Sequence, residues 1–251
     1  MARSHVVAAA LLVSALPALA LADKVSLTGT LRDFKGFNEA GGHIDFENAI
    51  GDDRGFVGAN IGVGRKPVYA GGAGTATTHG ASAFNQWYND VAGVNKTISQ
   101  TIQLDNGGSG SVYTYTNNSF FPIDNQGWGN TPGQSHNYHF TFELHSVFTY
   151  QAGQFFTFSG DDDVFVFINN KLVVDLGGVH TTESATVSLN TLGLTPGQNY
   201  NFDFFFAERH TTQSNFTIST SIASALVVPL PSAAGAGMAG LGLLGAIRRR
   251  R

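Results

Sequence analysis

The chain has 251 residues, no cysteine, and 18 Asp and Glu against 14 Lys and Arg. Five of the arginines lie near the termini (Arg3, Arg248, Arg249, Arg250 and Arg251), which leaves residues 23–225 with a net charge of −9. An acidic central region gives no electrostatic basis for binding nucleic acid or anionic lipid. Without cysteines, a domain of about 200 residues must be held by its hydrophobic core, with or without a metal ion, and not by disulfides.

The N-terminal segment has the features of a secretory signal peptide. Residues 1–22 combine a basic start at Arg3, an apolar run over residues 6–21 and small residues just before Asp23. This pattern predicts export, with cleavage before Asp23. The alternative, a buried helix, fits the terminal position and the basic flank less well.

One short helix is expected in an otherwise extended chain. Residues 51–80 are rich in glycine and predict long loops. The segment SAFNQWYNDV places apolar side chains at helical spacing, with Ser82 as a possible cap: Phe84, Trp87, Tyr88 and Val91. These residues predict a helix near residues 83–91.

The rest of the central region predicts short β-strands separated by turns, because it is rich in Phe, Thr, Val, Tyr and Gly. The segment YHFTFELHSVF alternates Phe140, Phe142 and Leu144 with polar residues, which predicts a half-buried strand. The segment VFVFI is apolar on both faces, as in a strand covered on both sides. We therefore predict an all-β protein, an antiparallel β-sandwich with one short helix.

A strand count predicts that the polar loops of the second half share one end of this sandwich, which we call the top end. Residues 164–168 run away from it, and Asn169-Asn170 forms a tight hairpin turn, because asparagine tolerates positive φ. Consecutive antiparallel strands then bring residues 177–184 and 207–215 back to the top end. The groups expected there are Asp161, Asp162, Asp163, His136, His139, His180, Glu208, His210 and Asn215. Such a rim of polar loops is a common place for binding.

Five segments carry a resemblance to a known family. NYHFTFEL, FTFSGDDDVFVFINNKLVVDLGGVH and FFFAERHTTQSNF resemble the fibro-slime domain, a member of the wider PA14-like group of β-sandwiches. FNQWYNDVAGVN and FFPIDNQGWGN fit the same pattern, so the resemblance spans about residues 25–222. It implies that residues 23–225 form a PA14-like antiparallel β-sandwich of the kind found in bacterial and slime-mould surface proteins, with no established enzymatic activity.

The resemblance implies a Ca²⁺ site at the top end. PA14-like adhesins hold Ca²⁺ with two adjacent Asp residues, joined by a cis peptide, and these align with Asp161 and Asp162; Asp163 stands where Gly is usual. Ca²⁺ prefers six to eight oxygen ligands, and we expect Asp161, Asp162, Asp163 and Asn215 to contribute. For Asp163, capping a backbone amide or facing solvent are alternatives, and a solvated acidic turn without an ion is the alternative for the whole run. The expected ligand-binding rim contains His180, Glu208, His210, Thr211, Trp128 and Tyr138, with Trp128 or Tyr138 stacking on a sugar ring.

The histidines also suggest zinc, although less strongly. His136-x-x-His139 has ligand-like spacing, but the chain lacks cysteine, and we expect His139 and His145 on one exposed strand face. Surface imidazoles in polar loops are the preferred explanation. His180 and His210 are instead expected to hydrogen-bond a ligand or to order the loops.

The C-terminal tail, residues 226–251, resembles the PEP-CTERM sorting signal of Gram-negative bacteria, which exosortase-type enzymes process. Pro229 and Pro231 precede about fifteen small and apolar residues, and four arginines follow. Leu230 stands where the motif has Glu, and the apolar run is short for a bilayer, which needs about 20 residues. We expect transient inner-membrane contact before processing; a membrane anchor that is never cut is the alternative.

Three functions are compatible with these features. The first is an exported, calcium-dependent module that binds an extracellular glycan or exopolysaccharide at the cell surface. The second is a structural matrix protein in which any calcium only stiffens loops. The third and weakest is a glycoside hydrolase using Asp162 with Glu208, since glycosidases need two acids at a defined separation. Adjacent Asp residues suit an ion better than acid–base catalysis, so we predict that the protein is not an enzyme.

Overall fold

The computed structural model describes residues 24–108 and 110–222. The twelve strands in this part of the chain, in order, are β1 Lys24–Asp33, β2 Gly51–Asp52, β3 Lys96–Asp105, β4 Tyr113–Asn117, β5 Phe140–Thr149, β6 Phe155–Gly160, β7 Asp163–Ile168, β8 Lys171–Leu176, β9 Gly178–Val179, β10 Glu183–Ser188, β11 Asn199–Glu208 and β12 Phe216–Thr220. The helical elements are α1 Ala81–Phe84 and two 3₁₀ turns, Val63–Arg65 and Leu189–Thr191. The expectations for the signal peptide and the sorting tail fall outside the described residues.

Ten strands form one antiparallel sheet in the order β10-β6-β12-β4-β3-β1-β5-β11-β7-β8, while β2 and β9 form a small separate pair. The sheet folds over on itself. Phe156 on β6 lies 5.2 Å from Phe202 on β11 between ring centroids, and Phe158 lies 5.7 Å from Phe204, although five strands separate β6 from β11 in the sheet. These phenylalanines belong to a large buried core between the two halves. The prediction of an all-β antiparallel sandwich is confirmed.

Loops cover the outer face of β7, β11 and β5 with a second apolar cluster. On β7, Val164 and Val166 face the main core, while Phe165 and Phe167 pack into this second cluster beside Trp87. The apolar character of VFVFI on both faces is thereby explained. The expectation of a half-buried β5 is wrong, because its second face is also covered: Thr141 is 0% exposed and Glu143 4%.

Of two local predictions, the hairpin turn is confirmed and the helix is only partly correct. Asn169 and Asn170 have φ of 51° and 66° and join β7 to β8, as predicted for a tight hairpin. The helix is shorter and earlier than predicted, spanning only Ala81–Phe84, and Ser82 lies inside it instead of capping it. Trp87 and Tyr88 follow in turns; their burial in the second cluster, rather than helical periodicity, accounts for the apolar spacing.

The strand pairings place the expected loops together at the top end. Strand β5 begins there, with Phe140 opposite both Asp33, the last residue of β1, and Glu208, the last residue of β11. Strand β7 also begins there, with Asp163 opposite Ala207. None of the helices in the described part of the chain has the length and apolar character needed to cross a membrane.

Candidate functional site

A cavity of about 260 Å³ opens at the top end of the sandwich. Its floor includes Asp161 and Asp162, which form the two-residue connection from β6 to β7 and are joined by a cis peptide bond. Since β6 and β7 belong to opposite halves of the folded sheet, this connection lies where the halves meet. The other lining residues come from three top-end loops: Ile50, Val179, His180, Thr181, Thr212 and Gln213.

Asp161 is fixed by the loop before β12. Its carboxylate accepts hydrogen bonds from the Asn215 backbone N–H and side-chain amide, both at 2.7 Å, and from the Thr182 hydroxyl at 2.9 Å. The approach is close because Gly160 has no side chain: a Cβ there would lie 2.1 Å from the Asn215 carbonyl oxygen. The predicted ligand Asn215 is therefore beside the cavity and orients Asp161, although it does not line the cavity.

Asp162 and Glu208 are buried carboxyl groups with too few partners. Asp162 is 5% exposed and accepts one hydrogen bond from the Arg209 backbone N–H at 3.0 Å. Burial and the charge of Asp163 raise the pKa of Asp162 well above its ordinary value. Burial and the charges of Asp162 and Asp161 do the same for the pKa of Glu208. Glu208 is 1% exposed, and its Oε2 has no hydrogen-bond partner. The carboxyl groups of Asp161, Asp162 and Glu208 thus lie within electrostatic range of one another.

Asp163 has a different role from its two neighbours. Its carboxylate accepts two hydrogen bonds from the Arg209 guanidinium, at 2.6 and 3.0 Å, and one from the Gly178 backbone N–H at 2.7 Å. Both Asp163 and Arg209 are 0% exposed. The expectation that Asp163 faces the cavity as a metal ligand is therefore not met, because an internal cation already occupies both of its oxygens; amide capping, one of the alternatives, is observed.

The expected rim residues divide into two groups. His180 lines the cavity and contacts the carbonyl oxygen of Thr181 at 2.9 Å through Nδ1. His210 and Thr211 do not line it; both contact Glu47, Thr211 through its N–H at 3.0 Å and its hydroxyl at 2.7 Å. These two residues fasten the loop that carries Thr212 into the cavity wall. Glu208 is part of the interior and not of an exposed rim.

The two predicted stacking residues lie elsewhere at the top end. Tyr138 is half-buried and packs edge-on against Phe121 at a centroid distance of 4.8 Å. Trp128 is 37% exposed and has two lysine ammonium groups over its ring. Neither residue lines the cavity beside Asp162.

The two histidines suggested as zinc ligands have different partners in the structure. His136 bonds Asp124 at 2.6 Å and stacks on Phe121. His139 is 1% exposed and bonds Glu47 at 3.0 Å, so the expectation of an exposed His139 is wrong. Within residues 24–108 and 110–222, no three Asp, Glu or His side chains are grouped so as to hold a metal ion on their own. A cation at Asp161 and Asp162 would need neutral oxygens as its remaining ligands.

Two residues important to the site were not identified from the sequence. The sequence prediction does not include Arg209, although a lone Arg directly after a buried strand in an acidic domain is a natural ion-pair partner for the Asp run. Glu47, with φ of 58°, bonds both His139 and Thr211 and so connects an early loop to the cavity wall. Nothing in its sequence neighbourhood indicates this contact, which joins residues 164 positions apart.

Comparison with known proteins gives a match to the part of the chain that holds this site. The family model described as "PA14 domain" matches residues 107–225, which include the Asp run and Asn215. Among curated proteins, the chain is similar to Protein psiR and Protein psiQ of Dictyostelium discoideum. The identities are 45% over 195 residues and 44% over 182 residues, which cover 71% and 67% of this chain. The chain spans only 20% and 18% of the length of those relatives.

Two solved structures with PA14 domains are also similar. One is titled "PA14 sugar-binding domain from RTX adhesin", with 12% identity, a TM-score of 0.30, and coverage of 76% of this chain and 88% of that chain. The other is titled "Crystal structure of PA14 domain of MpAFP Antifreeze protein", with 14% identity, a TM-score of 0.28, and coverage of 87% and 90%. The match to the PA14 family model is confined to residues 107–225, just under half of the chain.

Proposed function

We propose that this protein is an exported, non-enzymatic surface module that binds a carbohydrate through a calcium ion at Asp161 and Asp162. The observation that carries the proposal is the buried group of Asp161, Asp162 and Glu208. Burial and the charge of Asp163 raise the pKa of Asp162, burial and the charges of Asp162 and Asp161 raise the pKa of Glu208, and one Glu208 oxygen lacks any partner. Buried carboxylates without compensation are costly, and a coordinated metal ion is one way to compensate them.

The donor set around the cavity fits calcium better than zinc. Asp161 and Asp162 would supply carboxylate oxygens, and His180, Thr181, Thr212 and Gln213 line the same cavity with polar residues. Calcium accepts six to eight oxygens in flexible geometry, including carbonyls and water, whereas zinc prefers nitrogen and sulfur. With only two carboxylates, such an ion would keep positions open for vicinal sugar hydroxyls.

The fixed geometry of Asp161 supports a binding role over a merely flexible acidic turn. Its carboxylate already receives three hydrogen bonds from Asn215 and Thr182. A ligand group held in place in advance loses less conformational entropy when the ion binds. The Glu47 contacts to Thr211 fasten the adjacent wall in the same way.

The remaining parts of the proposal depend on the sequence resemblances. The fibro-slime pattern supports an extracellular glycan or exopolysaccharide as partner. The PEP-CTERM-like tail supports transient inner-membrane contact, exosortase-type processing and a Gram-negative cell surface or matrix as destination. The competing function is a structural matrix protein without a ligand. A hydrolase is disfavoured because Glu208, the second acid it would need, is buried and does not line the cavity.

A glycan array measured in calcium and in EDTA tests this function. We expect binding to a subset of glycans in calcium, lost in EDTA and lost in Asp162→Asn. Asp105→Asn is the matched control, because it removes one carboxylate from an exposed position at the end of β3 that lies away from the top end. Binding to no glycan in either condition, with a folded protein, would favour the structural matrix function.

A further inference from the structure

Lys35 and Lys96 are unusual among the cations of residues 24–222 because neither forms an ion pair with a carboxylate, although the charge of Lys96 acts on the buried carboxylate of Asp33. Of the nine lysines and arginines between residues 24 and 222, six form an ion pair with a carboxylate: Lys24, Arg32, Arg54, Arg65, Lys66 and Arg209. The other three, Lys35, Lys96 and Lys171, have no such pair, although these residues include 17 acids for nine bases.

Two of these three unpaired cations converge on the exposed ring of Trp128. The Lys96 ammonium lies 4.0 Å from the ring centroid and the Lys35 ammonium 4.7 Å from it. The two positive charges are therefore no more than 8.7 Å apart. Each also donates a hydrogen bond to a backbone carbonyl, Lys96 to Gly127 at 2.7 Å and Lys35 to Ala40 at 3.3 Å. These contacts hold two like charges together, and the buried Asp33, on which the charge of Lys96 acts, forms no ion pair with either lysine.

The backbone beneath Trp128 is rigidly built. The Trp128 N–H donates to the carboxylate of Asp33, which is 0% exposed and also accepts from Asn137 at 2.9 Å. Gly127 permits this approach: its φ is 61°, and a Cβ there would lie 2.0 Å from Asp33 Oδ2. A tryptophan left 37% exposed on such a support differs from Trp87, which is entirely buried. An exposed aromatic ring on fixed backbone, flanked by unpaired cations, is suited to ligand contact.

We propose that Trp128, Lys35 and Lys96 form a second binding site, which takes a short acidic saccharide such as a uronic acid oligomer. The sugar carboxylate pairs with the two ammonium groups that lie over the indole ring. The indole packs against the apolar edge of the sugar. A short ligand is required because the acidic domain repels extended polyanions such as nucleic acid. The site needs no calcium and shares no residue with the cavity at Asp162.

The test is a calorimetric titration of the whole protein with trigalacturonate in EDTA, compared with uncharged galactotriose. We expect binding of the acidic trisaccharide that weakens with added salt, and no binding of the neutral one. The double variant Lys35→Gln, Lys96→Gln should weaken binding by about tenfold or more, since charge-assisted hydrogen bonds are lost. Lys171→Gln is the matched control, because it removes the third unpaired cation and should change the affinity less than twofold.

Several outcomes would overturn the proposal. They are equal binding of the neutral and acidic sugars, an equal loss in Lys171→Gln and the double variant, or no binding of the acidic sugar at millimolar concentration. Circular dichroism of each variant separates a lost site from a lost fold. The Asp162→Asn variant should bind trigalacturonate in EDTA as well as the native protein does, so failure at the calcium cavity and failure at Trp128 are distinguishable.

Discussion

Replacing Arg209 with methionine should destabilise the protein strongly, because Arg209 neutralises a buried acid. The side chain makes five hydrogen bonds in the interior: two to Asp163, two to backbone carbonyls of Asp45 and Thr77, and one to the Thr77 hydroxyl. It also lies 4.7 Å from the Trp87 ring centroid. Methionine fills much of the volume and supplies none of these donors.

The expected cost of Arg209→Met is about 3–5 kcal/mol, the range for removing one partner of a buried ion pair. Without the guanidinium, Asp163 would keep only the Gly178 N–H, at 2.7 Å, as a donor. A domain of this size has about 5–15 kcal/mol of stability, so the variant should remain folded in buffer but unfold at a much lower urea concentration. Urea unfolding followed by tryptophan fluorescence measures the difference.

A pH series and a double variant separate this explanation from a simple packing defect. Burial already raises the pKa of Asp163 against the opposing charge of Arg209, and removing Arg209 should raise it further. A raised carboxyl pKa favours the folded state as pH falls, so the deficit of Arg209→Met should be largest at neutral pH and shrink toward pH 5. Adding Asp163→Asn should recover about 2 kcal/mol or more. A loss below about 1 kcal/mol, or one unchanged by pH and by the second substitution, would refute the reasoning.

Two further predictions concern other parts of the fold. Gly160→Ala should destabilise the protein by about 1–3 kcal/mol and weaken calcium stabilisation, since the new Cβ would meet the Asn215 carbonyl oxygen; an unchanged melting temperature with and without calcium would contradict this. For Glu143, burial raises the pKa, but hydrogen bonds from His145 and Lys66 and the charges of Lys66 and Arg32 outweigh it and lower the pKa to about 2. The native protein should therefore exceed Glu143→Gln in stability by about 2–3 kcal/mol near neutral pH. That advantage should disappear as pH falls from about 4.5 to 2; a constant difference would show that the charge of Glu143 is not responsible.

The strand pattern and the shared end of the loops could be predicted because they depend on local signals. Alternation along β5, the double-faced apolar run of β7 and the Asn169-Asn170 turn each indicate their structure within a few residues. Since the connections are short, antiparallel order follows, and with it the meeting of the loops at the top end. The positions of Asp161 and Asp162 follow from this count.

Side-chain partners across the sandwich could not be predicted in the same way. Asp163 and Arg209 are 46 residues apart, and whether Asp163 faces the cavity or the interior depends on the exact end of β7. The burial of Thr141 and Glu143 depends on loops that pack from elsewhere in the chain, which alternation within β5 does not report. The helix prediction was wrong for a related reason. Trp87 and Tyr88 are apolar because they pack in the second cluster, not because they lie on the buried face of a helix.

The central claim is that a calcium ion compensates the carboxylates of Asp161, Asp162 and Glu208, and a calorimetric titration of the purified protein with calcium chloride tests it most directly. We predict saturable binding and a rise in melting temperature for the native protein and for Asp105→Asn, with both lost in Asp162→Asn. Extracellular calcium modules bind with dissociation constants of about 10⁻⁴–10⁻³ M. If the native protein binds no calcium up to about 10 mM, roughly ten times the weakest of these constants, and its melting temperature does not change, the claim is contradicted.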